Sequence, residues 1–318
     1  MDWTVEVRVT VERVSKIAVV GSYGVGLTMR LDRMPVAGET LAGGVFSSGH
    51  GGKGSNQAVG AARLGADVSF LTAVGDDAMG RDAHTLWSEE GVDATKVVSI
   101  PGVATMVGVI LVEPSGENRI VIATGALDHL APEHVEGFRS ELAAADIAVV
   151  SMEIPLPTVL AALRAAREEG ARTMLNPAPA QPLPDEAWGA IDVLTPNRTE
   201  AAILLGHDPD ADESPEDLAG ALHERGVGVV VITLGGDGAL ICDDGGVRTV
   251  PAVPAPAVVD TTGAGDAFTA ALAVALAEGR STDDAVRFAA AAGAHAVSIA
   301  EVIPALARRS DIERLLND

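Results

Sequence analysis

Residues 147–176 read IAVVSMEIPLPTVLAALRAAREEGARTMLN. A short apolar strand, Ile147–Ser151, is followed by a helical pattern over 157–169 and a second short strand over 173–176. Strands that are apolar throughout are buried on both faces, and two of them joined by a helix make a βαβ unit of a parallel sheet. The same rhythm continues outward. Before it come a strand at 17–21, a helix at 55–64, a strand at 68–73, a helix at 78–90 and a helix at 132–144. After it come a strand at 193–195, helices at 198–205 and 214–225, and the strand Val229–Thr233. Strands near 239–250 read as antiparallel or at an edge, and helices at 264–278, 282–298 and 309–316 close the chain. The fold class is α/β: a mostly parallel, Rossmann-like central sheet flanked by helices. Two segments, about 27–48 and 105–123, break the rhythm. The second holds Val107–Val112 and 119–123, joined by Glu113-Pro-Ser-Gly-Glu117, a hairpin signature. Together the two segments predict a small separate β-sheet suited to act as a lid. The domain reading is an N-terminal extension over 1–16 and one unit over 17–318 that carries this lid.

The composition limits the partners. A chain of 318 residues with only 3% aromatics builds its core from small aliphatics. Acidic residues outnumber basic ones, 45 to 22, for a net charge of −23. Such a surface repels nucleic acid and anionic membranes, so an anionic substrate must be held by local donors. Cys242 is the single cysteine, which leaves no internal disulfide. The start of the chain has no continuous apolar stretch of signal-peptide length, and no apolar run approaches the roughly 20 residues of a membrane span. The expectation is a soluble, cytoplasmic protein.

Several motifs carry chemistry. Asp260-Thr-Thr-Gly-Ala-Gly-Asp266 stands directly before an Ala-rich helix. A glycine loop at a helix N-terminus can cradle a phosphate with free N–H groups and the helix dipole. Asp266 could then take a proton from an alcohol that attacks that phosphate, although an acidic helix cap would read the same way. Gly49-His-Gly-Gly-Lys-Gly-Ser-Asn-Gln57 fails as a P-loop, because Gly54 follows Lys53. Its glycines and Asn56 can approach a polar ligand closely, or simply form a tight turn. Gly21-Ser-Tyr-Gly-Val-Gly26 lacks the spacing of a dinucleotide fingerprint. Glu153 follows a strand end, where open α/β sheets bind ligands. Asn197 and Glu200 lie three apart after another strand; Glu200 can hold a water-coordinated magnesium, and Asn197 can cap the helix. Thr233-Leu-Gly-Gly-Asp-Gly238 is again a strand followed by a glycine turn, suited to a backbone approach to a nucleotide. The seven histidines show no metal-ligand spacing.

As an ordered set these pieces resemble the ribokinase, or phosphofructokinase-B, family of sugar kinases. The likeness runs from about Ile17 to Leu316. It rests on Gly51-Gly-Lys-Gly-Ser-Asn-Gln-Ala-Val59, Gly75-Asp-Asp-Ala-Met-Gly80, Leu175-Asn-Pro-Ala-Pro179, Thr195-Pro-Asn-Arg-Thr-Glu200 and Asp260-Thr-Thr-Gly-Ala-Gly-Asp-Ala-Phe268. The resemblance implies an ATP- and magnesium-dependent kinase, often paired into a homodimer through its lids. It makes Asp266 the catalytic base and the amides of Gly263, Ala264 and Gly265 the anion hole for the transferred phosphoryl group. Gly51, Gly52, Lys53, Asn56 and Glu153 would face the sugar. Asn197, Thr233, Gly235 and Gly238 would serve the nucleotide, Glu200 the magnesium ion through water, and Asp260 a monovalent cation such as potassium.

Three departures concern the acceptor and the cation. The family's Asn-x-Asp after the first strand is here Gly24 and Gly26, and its Gly-Ala-Asn beyond the lid hairpin is Gly125-Ala-Leu127. The family's Gly-Ala-x-x-Ser near the C-terminus is Glu301-Val-Ile-Pro-Ala305, which weakens the case for potassium. The reading is a kinase acting on a primary hydroxyl of a ribose-like sugar, with D-ribose the first candidate. The alternatives are another sugar or a nucleoside as acceptor, or a non-catalytic sugar or nucleotide sensor on the same fold.

Overall fold

A computed structural model of the chain describes residues 14–209 and 212–317. The strands are β1 (Lys16–Val20), β2 (Gly24–Arg30), β3 (Val45–Gly51), β4 (Asp67–Leu71), β5 (Ala73–Gly75), β6 (Val92–Asp93), β7 (Val98–Ile100), β8 (Val107–Val112), β9 (Asn118–Ala123), β10 (Ile147–Ser151), β11 (Arg172–Asn176), β12 (Val193–Leu194), β13 (Val229–Thr233), β14 (Ala239–Asp243) and β15 (Gly246–Val250). The helices are α1 (Lys53–Arg63), α2 (Ala78–Glu89), α3 (Pro132–Glu136), α4 (Arg139–Ala144), α5 (Leu156–Glu169), α6 (Asp185–Trp188), α7 (Arg198–Leu205), α8 (Pro215–Glu224), α9 (Ala264–Ala277), α10 (Thr282–Ala296), α11 (Val302–Ala305) and α12 (Arg309–Asn317).

Nine strands form the main sheet in the order β15-β14-β13-β12-β11-β10-β1-β4-β6. Neighbours from β13 to β6 are parallel, and β14 and β15 add an antiparallel edge. The chain winds outward from β1 through β4 to β6, then returns to β10 and winds the other way. The reversal falls between β1 and β10, paired from Ile17↔Ile147 to Val20↔Val150. That switch point leaves a crevice at the carboxyl ends of the two strands, where sheets of this kind take their ligands.

Apart from the exposed Lys16, both strands are buried throughout, as their apolar runs Ile17–Val20 and Ile147–Val150 require. Ile17, Val19, Ile147 and Val149 face the core made with α1, α9 and α10. Ala18, Val20, Ala148 and Val150 face the second core, made with α4, α5 and α8. Among the described residues no helix is long and apolar enough to cross a membrane.

The small separate sheet is present, in the order β3-β2-β8-β9. It is slightly larger than the sequence suggested: β2 begins at Gly24 and β3 runs to Gly51. Asp77 anchors its root. The Asp77 carboxylate accepts the Gly80 N–H at 2.8 Å, which caps α2, and the Thr105 N–H and hydroxyl at 2.8 and 2.7 Å. The segment leading into β8 is thereby fixed to the body. The helix expected over 132–144 is two helices, because the fully buried Phe138 turns into the core between α3 and α4. Of the expected N-terminal extension, residues 1–13 lie outside the described residues, and Lys16 already belongs to β1.

Candidate active site

Two helices meet at the switch-point crevice. At Gly60 of α1, an added Cβ would stand 2.9 Å from the Ala270 Cβ of α9, so the two helices pack as closely as a missing side chain allows. Residues four apart on a helix share a face. One turn before Gly60 and Ala270 stand Asn56 and Asp266, and the Asn56 Nδ2 donates to Asp266 Oδ2 at 2.8 Å. The other carboxylate oxygen accepts from Gln57 Nε2 at 3.2 Å. Asp266 is 6% exposed and Asn56 4%. Burial pushes the Asp266 carboxyl above the usual carboxylate range, while the nearby Lys53 charge and the Asn56 hydrogen bond pull it back. A raised carboxyl of this kind is a better proton acceptor than a solvated one.

The loop before α9 opens toward the same place. Gly263 caps the helix at φ 79°, and a Cβ there would meet Val302 Cγ1 at 2.5 Å, so both backbone and packing demand glycine. The Ala264 amide donates to Thr261 O at 3.3 Å, whereas among the described residues the Gly263 and Gly265 amides have no hydrogen-bond partner. Of the three amides expected in an anion hole, two are therefore unengaged and the third is spent on a long turn bond. Asp260 accepts the Thr262 N–H at 2.9 Å and the Glu301 N–H at 3.4 Å. Glu301 stands at φ 67°, in the place where the resembled motif has glycine.

Gly52 and Gly54 have a packing explanation that the sequence did not show. Gly52 sits at φ 88°, where a Cβ would lie 2.5 Å from Tyr23 Cα, and a Cβ on Gly54 would lie 2.6 Å from Gly21 Cα. The loop after β1 and the start of α1 thus touch backbone to backbone. Glu153 has a role beyond an exposed loop carboxylate. Its Oε2 accepts the Lys53 backbone N–H at 3.1 Å and the Ser22 hydroxyl, so it caps α1 from the end of β10. Lys53 is half-buried at the same helix start and acts electrostatically on both Asp266 and Glu200.

The residues expected to serve a nucleotide are brought together in part. Asn197 and Thr233 form an isolated parallel bridge, placing the ends of β12 and β13 side by side. Asn197 and Glu200 form a reciprocal helix cap: Asn197 Oδ1 accepts the Glu200 N–H at 2.8 Å, and Glu200 Oε2 accepts the Asn197 N–H at 2.9 Å. Burial raises the Glu200 carboxyl above its ordinary value, against the pull of the Asn197 amide. Gly235 has open space around it, but Gly238 is forced by packing, since a Cβ would strike Val250 O at 2.2 Å.

On the acceptor side the two glycines that replace the family's Asn-x-Asp differ in the room around them. A Cβ on Gly24 would fall 2.3 Å from the ε-methyl of Met106, so the thioether fills that space. Gly26 is open, with Ile110 Cδ1 at 3.6 Å and Gly49 O at 3.9 Å. Leu127 is buried in the second core and offers no polar group. Several residues that complete the site were not singled out in the sequence: Ser22, Gln57, Asn176, Thr195 and Thr269. Gln57 and Asn176 lie inside quoted motifs, but only their hydrogen bonds distinguish them from their neighbours.

Comparison with known proteins gives a consistent answer. The chain is 38% identical over 282 residues to the ribokinase of Haemophilus influenzae, covering 89% of this chain and 92% of that protein. It is 37% identical over 253 residues to a deoxyribokinase of Salmonella typhi, covering 79% and 82%. The structure of Arabidopsis thaliana ribokinase complexed with ribose and ATP superposes with a TM-score of 0.90 at 32% identity, covering 96% of this chain and all of that one. Residues 14–307 match the family described as pfkB family carbohydrate kinase. The chain therefore belongs to the pfkB family of carbohydrate kinases.

Proposed function

We propose that this kinase transfers the γ-phosphoryl group of ATP to a primary hydroxyl of a ribose-like sugar, with D-ribose the first candidate. The observation that carries the proposal is the Asp266 carboxylate, buried at the N-terminus of α9 and held by Asn56 and Gln57 beside the unengaged amides of Gly263 and Gly265. Asp266 takes the proton of the attacking hydroxyl, and those amides stabilise charge on the transferred group. Asn56 Oδ1 is buried without a partner, an acceptor that a sugar hydroxyl would satisfy. Gly51, Gly52, Lys53 and Glu153 border the same space, and the ribokinases among the relatives support the choice of acceptor.

Asn197, Thr233, Gly235 and Gly238 line the nucleotide side in this reading. Glu200 would hold magnesium through water with the carboxylate oxygen that the helix cap leaves over, and the half-buried charged group fits an ion that keeps most of its waters. The ion, when bound, neutralises charge on the phosphates. Asp260 enters as a tie between the loop and the C-terminal segment, its oxygens engaged by Thr262 and Glu301. The small sheet acts as the lid. The exposed Phe46, Val109 and Val121 fall on one face of it by register, a surface suited to pairing two copies.

A second acceptor reading has its own observation. Met106 occupies the side-chain space of residue 24, which leaves an apolar wall and favours a sugar with fewer hydroxyls, such as a deoxypentose. A coupled ATP-turnover assay over pentoses, deoxypentoses, hexoses and nucleosides separates these readings. Turnover highest on ribose supports the first, and turnover highest on a deoxypentose supports the second. No turnover on any acceptor would sink the proposal.

A further inference from the structure

Gln57 is 1% exposed, and its side-chain amide spends both hydrogens inside the protein. One goes to Asp266 Oδ1 at 3.2 Å, the other to Asn176 Oδ1 at 3.3 Å. Asn176, the last residue of β11, donates in turn to Thr195 O at 3.3 Å. The Thr195 hydroxyl lies 3.4 Å from that of Thr269, which stands on α9 one turn beyond Asp266. The hydrogen bonds close a ring from Asp266 through α1, β11 and the end of β12 back to α9. Every member is at least nine-tenths buried.

We infer that Gln57 is the positioning residue of the Asp266 carboxylate, with Asn176 as the second link that orients the Gln57 amide. The inference rests on the proposed role of Asp266 as base. A carboxylate held by one donor can still rotate about its Cβ–Cγ bond; a second donor on the other oxygen fixes its plane. Asn56 and Gln57, adjacent on α1, supply one donor to each oxygen. Each oxygen keeps a further lone pair for an incoming hydroxyl. Amides are suited to this task, because they set geometry without adding a cation that would strip the carboxylate of basicity. The arrangement also carries a cost that packing alone would not select. Gln57 Oε1 is buried with no partner, and a leucine or methionine there would leave no orphan acceptor.

The test compares Gln57→Met, Asn176→Ala and Asp266→Asn with the wild-type enzyme, on whichever acceptor gives the highest turnover. Thermal melting and ATP binding serve as folding controls. For Gln57→Met, kcat should fall about 10- to 100-fold, the scale of a misaligned reacting group, while the sugar KM stays near wild type. The acid limb of its kcat–pH profile should move to higher pH, because a donor to the ionised carboxylate is gone. Asn176→Ala should move both readouts the same way by less, and it reads the relay if Gln57→Met does not fold. A purely structural role would lower stability without moving the acid limb. The inference is overturned if folded Gln57→Met or Asn176→Ala keeps the wild-type kcat and acid limb, or if only the sugar KM rises. Residual near-normal turnover in Asp266→Asn would instead overturn the base assignment itself, so the two failures are distinguishable.

Discussion

At Asp266, the proposed base, stability and activity are expected to pull against each other. Burial raises its folded-state carboxyl above the unfolded value. A group shifted in this direction favours the fold while protonated, and that contribution is lost as pH rises through the folded-state value. Asp266→Asn is therefore expected to melt at a higher temperature than wild type near neutral pH, with the gap closing as pH falls into the ordinary carboxylate range. Turnover should drop about 100- to 10,000-fold, the usual worth of a general base. Melting scans across pH beside turnover check both, and a variant that is less stable at neutral pH would contradict the linkage. The acceptor glycines behave differently from each other. Gly26→Asp fits without moving the backbone and should lower the KM for ribose by about tenfold or more, the worth of a charged hydrogen bond to a hydroxyl. Gly24→Asn runs into Met106 and should raise that KM, with Met106→Ala restoring part of the loss. Steady-state kinetics on the single and double variants decide the matter.

Among the elements, α1 and α9 carry the site as a pair. A tight contact between them, Gly60 on Ala270, lies one turn from the Asn56–Asp266 hydrogen bond. Widening it moves both donors away from the carboxylate. Gly60→Val should cost about 1–3 kcal/mol through overpacking and reduce kcat, with Gly60→Ala intermediate in both. Denaturant melts and turnover numbers on the two variants test this, and full activity in a destabilised Gly60→Val would show that the spacing does not set the geometry. The elements were largely legible in the sequence, since buried strands and amphipathic helices announce themselves by period. The break at Phe138 was not, because its cause is a tertiary burial rather than a local stop signal.

Over the whole molecule, the C-terminal segment closes back onto α1. Arg63 binds Glu90 through Nε at 2.8 Å and reaches Ile303 O and Leu306 O at 2.6 and 2.8 Å, and Arg309 reaches Leu64 O at 3.0 Å. The Arg63–Glu90 pair is mostly buried, with side chains 12% and 15% exposed. Arg63 holds the Glu90 carboxyl below its ordinary range. A depressed acid stabilises the fold above its unfolded value, and the benefit disappears as pH falls through the folded one. Arg63→Met should then cost about 3 kcal/mol near neutral pH, because it leaves a buried carboxylate unpaired, and less in acid, where Glu90 is protonated. Unfolding free energies of wild type and variant across pH check the sign; a gap independent of pH would assign the loss to packing alone.

The sequence by itself determined the α/β class, the small separate sheet and the order of motifs that marks the pfkB family. Those features are written in local period and in short ordered patterns, and each is read without knowing what lies across the core. Only the tertiary structure decided what the motif residues touch. It turned Gly52 and Gly54 into packing sites against the loop after β1, made Glu153 the cap of α1, and placed Met106 where residue 24 would project. It also drew Gln57 and Asn176, 119 positions apart, into one ring with Asp266. Contacts of that length depend on how two helices and two strands pack, and a linear chain of letters does not state that packing.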